Sequence, residues 1–396
     1  TLLLLVCFQL VLLFQFFFTT DGAALAYIVL SFGLLIAMEW FCYFVMRSIS
    51  VRGFEPETLA FFLTSVGFSV AGSSAPDGMG RHCLLFLAAL ALFFALGVWL
   101  RDLHRVRAMR WPMAFAALGF LALNLLLSET IWGAKNWLSI AGQTLQPSEF
   151  VKIAYVYAGA ATLDRLFRRR NLILFIAFSA VCVGALALMG DFGTALVFFV
   201  CFLVISFMRS GSFATLFLAI GGAALAVMLV LTVKPYVAQR FATWGHAWED
   251  PLNTGFQQVR TMSATAAGGL FGRGAGAGWL KNIFAANTDM VFGVVCEELG
   301  LIGAALVMLI FALLILRGFW IALQARDRFG ALLVVGIMTQ ISLQTFLNIA
   351  VVSGLVPATG ISLPFFSYGG TALALQLFEM GIVLSVSRQI PAPRGG

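Results

Sequence analysis

Charged residues are scarce in this chain. Asp, Glu, Lys and Arg make up 10% of its 396 residues, where an ordinary soluble domain carries about 25%. With 61% hydrophobic residues, too little polar surface remains to cover a water-soluble particle. Histidine is nearly missing. His82, His104 and His246 are too scattered to build a metal centre, and no zinc site is read. The cysteines, Cys7, Cys42, Cys83, Cys182, Cys201 and Cys296, form no C-x-x-C pair and lie in or at the ends of apolar runs, as small buried hydrophobes do. No linker of domain size interrupts the chain. The densest glycine cluster, Gly268 to Gly276, follows no strand, so a nucleotide-binding phosphate loop is a poor reading of it.

What the sequence has is long apolar runs. They fall near 1–19, 23–46, 57–74, 82–100, 111–127, 148–163, 171–189, 191–208, 213–233, 293–317, 329–352 and 365–387. Each is close to the length a helix needs to cross a hydrocarbon core of about 30 Å. The expected fold is therefore all-α, a polytopic integral membrane protein of about twelve transmembrane helices. Residues 1–19 lack a basic leading segment and a small-residue cleavage site, so a span is expected there rather than a cleaved signal. The 40 Phe serve as apolar bulk.

The net charge of +7 is a topology signal and does not imply nucleic acid. With the start of the first span inside, sixteen Arg fall in cytoplasmic loops and the tail, against eight Lys or Arg on or near the other side. That asymmetry makes the loop at 234–292, about 59 residues, extracytoplasmic. Two further outer segments, 128–147 and 353–364, collect polar residues that lipid would penalise, the usual mark of a functional site.

Four stretches carry the chemistry. In Gln146-Pro147-Ser148-Glu149-Phe150-Val151-Lys152, Pro147 suits a first helical turn, Glu149 suits the positive end of the helix dipole, and Lys152 shares its face. The pair is either a structural ion pair or the border of a substrate groove. Gly190-Asp191-Phe192-Gly193-Thr194 reads as a tight turn with Asp191 as a helix cap. The long loop offers Glu249 and Asp250, a short helix within 254–267, then Asn287-Thr288-Asp289-Met290-Val291-Phe292 and Glu297-Glu298-Leu299-Gly300. Finally, Asn348 precedes Gly354 to Gly370, where two prolines and dense Gly and Ser break the helix at membrane depth.

The stretches at 146–152, 288–300 and 354–370, in this order and spacing, closely resemble the SEDS family typified by RodA, FtsW and SpoVE, over roughly residues 57–390. The resemblance implies a ten-helix core at 47–396, with 1–46 as an extra N-terminal transmembrane pair. It implies a peptidoglycan glycosyltransferase of elongation, division or sporulation. Such an enzyme polymerises lipid II at the outer face of the cytoplasmic membrane, beside a class B penicillin-binding protein and other proteins of the complex. The family's essential loop Asp corresponds to Asp289, expected as general base and candidate ligand of a divalent cation (Mg or Mn). Glu149, Lys152, Glu298 and Ser367 are expected along the substrate groove, with Arg260, Arg273 and Lys281 on the pyrophosphate. The turn at 190–194 departs from the family by reading Gly-Asp-Phe where Pro-Asp-Leu is usual. A lipid-precursor flippase, suited by Glu149, Lys152, Glu298 and Glu379 within apolar runs, and a non-catalytic scaffold are the competing readings.

Overall fold

A computed structural model describes residues 1–48, 54–99, 109–128, 138–140, 143–164, 169–233, 235–283, 286–366 and 371–390. Each of the twelve apolar runs contains a helix over most of its described length. The helices are α1 (Leu2–Thr19), α2 (Gly22–Ser48), α3 (Glu55–Ser74), α4 (Met79–Trp99), α5 (Arg110–Leu127), α6 (Pro147–Asp164), α7 (Arg169–Met189), α8 (Phe192–Ser210), α9 (Phe213–Val233), α10 (Pro235–Thr243), α11 (Phe256–Ala267), α12 (Val291–Gln324), α13 (Arg328–Val352) and α14 (Thr371–Ser387). The short helix expected within 254–267 is α11. A two-stranded antiparallel ladder pairing Leu138 with Leu145 and Ile140 with Gln143 is a small exception to the all-α fold.

Among the described residues, nine helices are long and apolar enough to cross a membrane: α1, α2, α4, α5, α7, α8, α9, α12 and α13. The expected count of twelve is not reached on that criterion. Helix α14 has 17 residues. Helices α3 and α6 carry too many polar groups: α3 buries Thr64, Ser65, Ser69 and Ser73, and α6 buries Ser148, Glu149 and Lys152. A helix screened from lipid by its neighbours can hold such residues. Indeed α6 packs against α5, α7 and α8, and α3 against α1 and α2. Helix α9 shows the opposite case, with no described side chain buried.

The chain forms two compact units. The first comprises Thr1–Phe94, Thr243–Arg317 and Gln344–Met380; the second comprises Ala95–Ala242, Gly318–Leu343 and Gly381–Gly396. The first unit has a phenylalanine core in which Phe32 meets Phe16 and Phe68, and Phe68 meets Phe86 at 5.5 Å between ring centres. In the second, the fully buried Tyr155 stacks among Phe175, Phe178 and Phe198, and its hydroxyl donates to Ser179 at 2.7 Å.

Candidate active site

The first unit holds most of the expected site residues, and their placement begins with a break in α12. Gly300 has φ 70° and ψ −173°, far from helical values. The positive φ favours glycine, and a Cβ there would also collide with the Gly272 nitrogen. A break frees backbone groups that burial would leave costly. The glycine-rich segment satisfies them. Arg273 and Gly274 donate their N–H groups to the carbonyls of Glu297 (3.0 Å) and Glu298 (2.9 Å). Leu301 and Ile302 donate theirs to Gly269 (2.9 Å) and Leu270 (3.1 Å). The glycine cluster at 268–276 is thus a backbone splint on a broken transmembrane helix.

The side chains of Glu297 and Glu298 hold the same segment. Glu297 is 0% exposed and accepts the N–H groups of Trp279 (3.0 Å) and Leu280 (2.9 Å). The Arg273 guanidinium stands 3.8 Å from it. Glu298, 2% exposed, accepts from Ser73 of α3 and from the backbone of Gly276 and Gly278. The amides a phosphate would need are therefore taken by protein carboxylates. Glu298, expected on the groove wall, sits behind the loop with its carboxylate occupied.

Asp289 lies half-buried two residues before α12. Its backbone is held by a residue whose role the sequence reading left unassigned. Asn348, fully buried on α13, donates from one side-chain nitrogen to the carbonyls of Asp289 (2.8 Å) and Ile361 (2.9 Å). One amide group thereby ties the Asp289 turn to the irregular 353–364 segment. Gly360, at φ 71°, borders the Asp289 carboxylate. The signal was present: an Asn in an apolar run is expensive without partners.

The remaining expected residues of this unit are cationic. Arg260 is exposed, its guanidinium 5.4 Å above the Phe256 ring. Arg273 has 44% of its side chain exposed. Lys281 is half-buried, its ammonium donating to the Gly276 carbonyl. Ser367 lies outside the described residues. Asp250, half-buried, accepts the N–H and hydroxyl of Thr254 and the amide of Asn253, and these bonds hold its carboxyl below the usual carboxylate range. No group of three or more His, Cys, Asp or Glu that could hold a metal occurs among the described residues. The protein groups described thus do not by themselves assemble a cation site around Asp289.

In the second unit, Glu149 and Lys152 form the expected pair. Both are 5% exposed, and their charged atoms stand 2.7 Å apart. Gln340 donates to the Lys152 carbonyl at 3.1 Å. Asp191 caps α8 as expected, accepting the Thr194 N–H at 3.0 Å, and interacts electrostatically with Lys152.

A set of long apolar helices, one of them broken at Gly300 and splinted by a glycine-rich loop, defines a polytopic α-helical membrane protein. Residues 61–391 match the FtsW/RodA/SpoVE family of cell cycle proteins, and the chain belongs to that family. It is 36% identical over 326 residues to the stage V sporulation protein E of Bacillus subtilis, covering 78% of this chain and 86% of that protein. It is 28% identical over 341 residues to the peptidoglycan glycosyltransferase RodA of Mycobacterium tuberculosis, covering 81% and 73%. Among solved structures, one chain from a study of polymerization and crosslinking by a peptidoglycan synthase complex is similar at TM-score 0.74 and 29% identity, covering 85% of this chain and 97% of that one. Thermus thermophilus RodA is similar at 0.65 and 26%, covering 86% and 98%.

Proposed function

We propose that this protein is a peptidoglycan glycosyltransferase that polymerises lipid II into glycan strands at the outer face of the cytoplasmic membrane. Relatives named peptidoglycan glycosyltransferase RodA and FtsW support the activity. The observation that carries the site is Asp289: a half-buried carboxylate whose backbone Asn348 ties to the irregular segment before α14. In the reaction, a sugar hydroxyl attacks the anomeric carbon of a pyrophosphate-linked donor. The new C–O bond forms as the bond to the pyrophosphate oxygen breaks. Asp289 accepts the hydroxyl proton as general base. Arg260, Arg273 and Lys281 stabilise the charge on the departing pyrophosphate. Glu298 shapes the site from behind the loop, and Glu149 with Lys152 lines the substrate path within its own unit. A divalent cation, Mg or Mn, belongs to this reading as a companion of the pyrophosphate, with Asp289 as its protein carboxylate; no step depends on it. A class B penicillin-binding protein is the proposed partner, together with other proteins of an elongation or division complex. Residues 1–46 are the accessory pair ahead of the 47–396 core.

Incubating the purified protein with lipid II tests the activity, and glycan polymer is the expected product. Translocation of labelled lipid II across liposomes without polymer would replace the enzyme with a transporter. Sidedness has its own test. Leu252, 75% exposed in the long loop, should react as Leu252→Cys with an impermeant thiol reagent in intact cells. Labelling that requires lysis would reverse the topology.

A further inference from the structure

We infer that α1, which lies ahead of the 61–391 family match, is a positioning element of the reaction loop: Gln15 and Thr19 set where the 273–281 segment stands, and with it Arg273 and Lys281. The inference rests on the polymerase reading above.

Helix α1 is an apolar run of 18 residues interrupted by two glutamines. Its buried stripe, Leu2, Leu5, Gln9, Leu12 and Phe16, follows helical spacing, while Leu4, Phe14 and Phe18 on the other flank are exposed. Anchoring in lipid asks nothing more than the apolar residues. The glutamines oppose insertion and so require partners. Gln9, 0% exposed, donates to Glu39 of α2 at 2.6 Å and to Ser65 of α3 at 2.7 Å. Those two bonds fix the register of α1, since sliding by one turn would lose both.

The register carries forward to the loop. Gln15 lies about 9 Å further along the helix, at ~1.5 Å per residue. Its side-chain oxygen accepts the N–H of Ala275 at 2.7 Å, and the Thr19 hydroxyl donates to the carbonyl of the same Ala275 at 2.9 Å. Both polar backbone groups of one buried loop residue are therefore met by α1. The next residue, Gly276, has φ 80°, and a Cβ there would press on the Phe16 ring at 3.1 Å and on the Thr19 hydroxyl. On its other side the segment is held by the carboxylates of Glu297 and Glu298. Between the residues that α12 holds, α1 grips Ala275. A movement of α1 moves the backbone that presents both cations.

The test uses the full chain carrying Gln15→Leu and Thr19→Val, which keeps the span's length and apolarity and leaves the Gln9 lock intact. Amides at 273–280 should exchange hydrogen about tenfold faster than in the parent, as expected for two lost hydrogen bonds. The kcat for lipid II polymerisation should fall about tenfold while KM stays within about twofold, because the displaced cations stabilise charge that develops on the departing pyrophosphate. Thr19→Ser, which keeps the hydroxyl donor, should restore parental exchange and kcat relative to Thr19→Val. A general loss of structure would instead lower yield and disturb KM as well as kcat, and would not be rescued by a hydroxyl. Unchanged exchange at 273–280 in the double variant overturns the inference. Should the double variant fail to insert, Thr19→Val alone carries the same measurement. If the parent protein makes no polymer, the polymerase reading fails, and the exchange data still judge the clasp by themselves.

Discussion

The two polar centres of this protein are stabilised by different means. In the second unit charge meets charge: Glu149 and Lys152 stand 2.7 Å apart on one helical face, both buried. In the first unit the buried carboxylates of Glu297 and Glu298 are met mainly by peptide N–H groups of a loop 17 to 22 residues earlier in the chain. A pair within one helix turn forms whenever the helix forms. A carboxylate bound to backbone exists only once the loop has its shape, and it then dictates that shape. The first arrangement gives a point fixed within one helix. The second gives a loop whose shape is fixed by the helix it folds against.

Breaking the proposed catalytic residue should have the largest effect. Asp289→Asn keeps the size of the side chain and removes its basicity, so polymerisation should fall by about 10²–10⁴-fold at normal protein yield. Gel analysis of lipid II products checks this; near-parental polymer would move the base elsewhere in the loop. Next comes the ion pair. Lys152→Ala or Glu149→Ala leaves one buried charge behind and should cost about 3–5 kcal/mol of stability, whereas the combined Glu149→Leu, Lys152→Met should recover most of it. Thermal unfolding in detergent reads the cycle, and equal loss in all three variants would show that the charges do not compensate one another. Glu297→Gln sharpens the contrast. It retains one acceptor oxygen but places a donor against an N–H, for a loss of about 1–3 kcal/mol confined to the loop. Faster proteolysis within 273–283 at an unchanged global midpoint is the expected signature.

Asp250→Asn is the mildest of the series. The hydrogen bonds that Asp250 accepts from Thr254 and Asn253 lower its folded pKa. A lowered folded pKa means that the contribution is present above the ordinary carboxylate value and lost as pH falls through the folded one. The parent and Asp250→Asn should therefore converge in loop protection at acid pH and differ slightly at neutral pH. A large activity loss at neutral pH would place Asp250 in the chemistry.

Much of the architecture was legible because its signals are local. The Glu149–Lys152 pair followed from a proline-led helix start and a three-residue spacing, and the Asp191 cap from a turn followed by an apolar run. The short helix within 254–267 appears as α11, and the glycine-dense run that follows it is where that helix ends. The illegible parts involve partners far apart in sequence. Nothing in Gly268 to Gly276 reveals that it splints a break at Gly300, since that needs both segments side by side. Asn348 could be marked as a costly polar residue, but its bonds to Asp289 and Ile361 span two loops. Glu298 was expected along the groove from the resemblance alone, and nothing local named its partners. Its engagement with Ser73 and the loop backbone depends on α3 reaching it.

By itself, the sequence determined that this is a membrane protein of long helices and which motifs ally it to the FtsW/RodA/SpoVE family. Hydropathy, charge asymmetry and ordered motifs are additive properties of a chain and survive without a fold. Only the tertiary structure decided how the outer loop is held. A backbone N–H has no sequence label, and its partner is whichever acceptor the packing of α1, α3, α12 and α13 brings within hydrogen-bond distance.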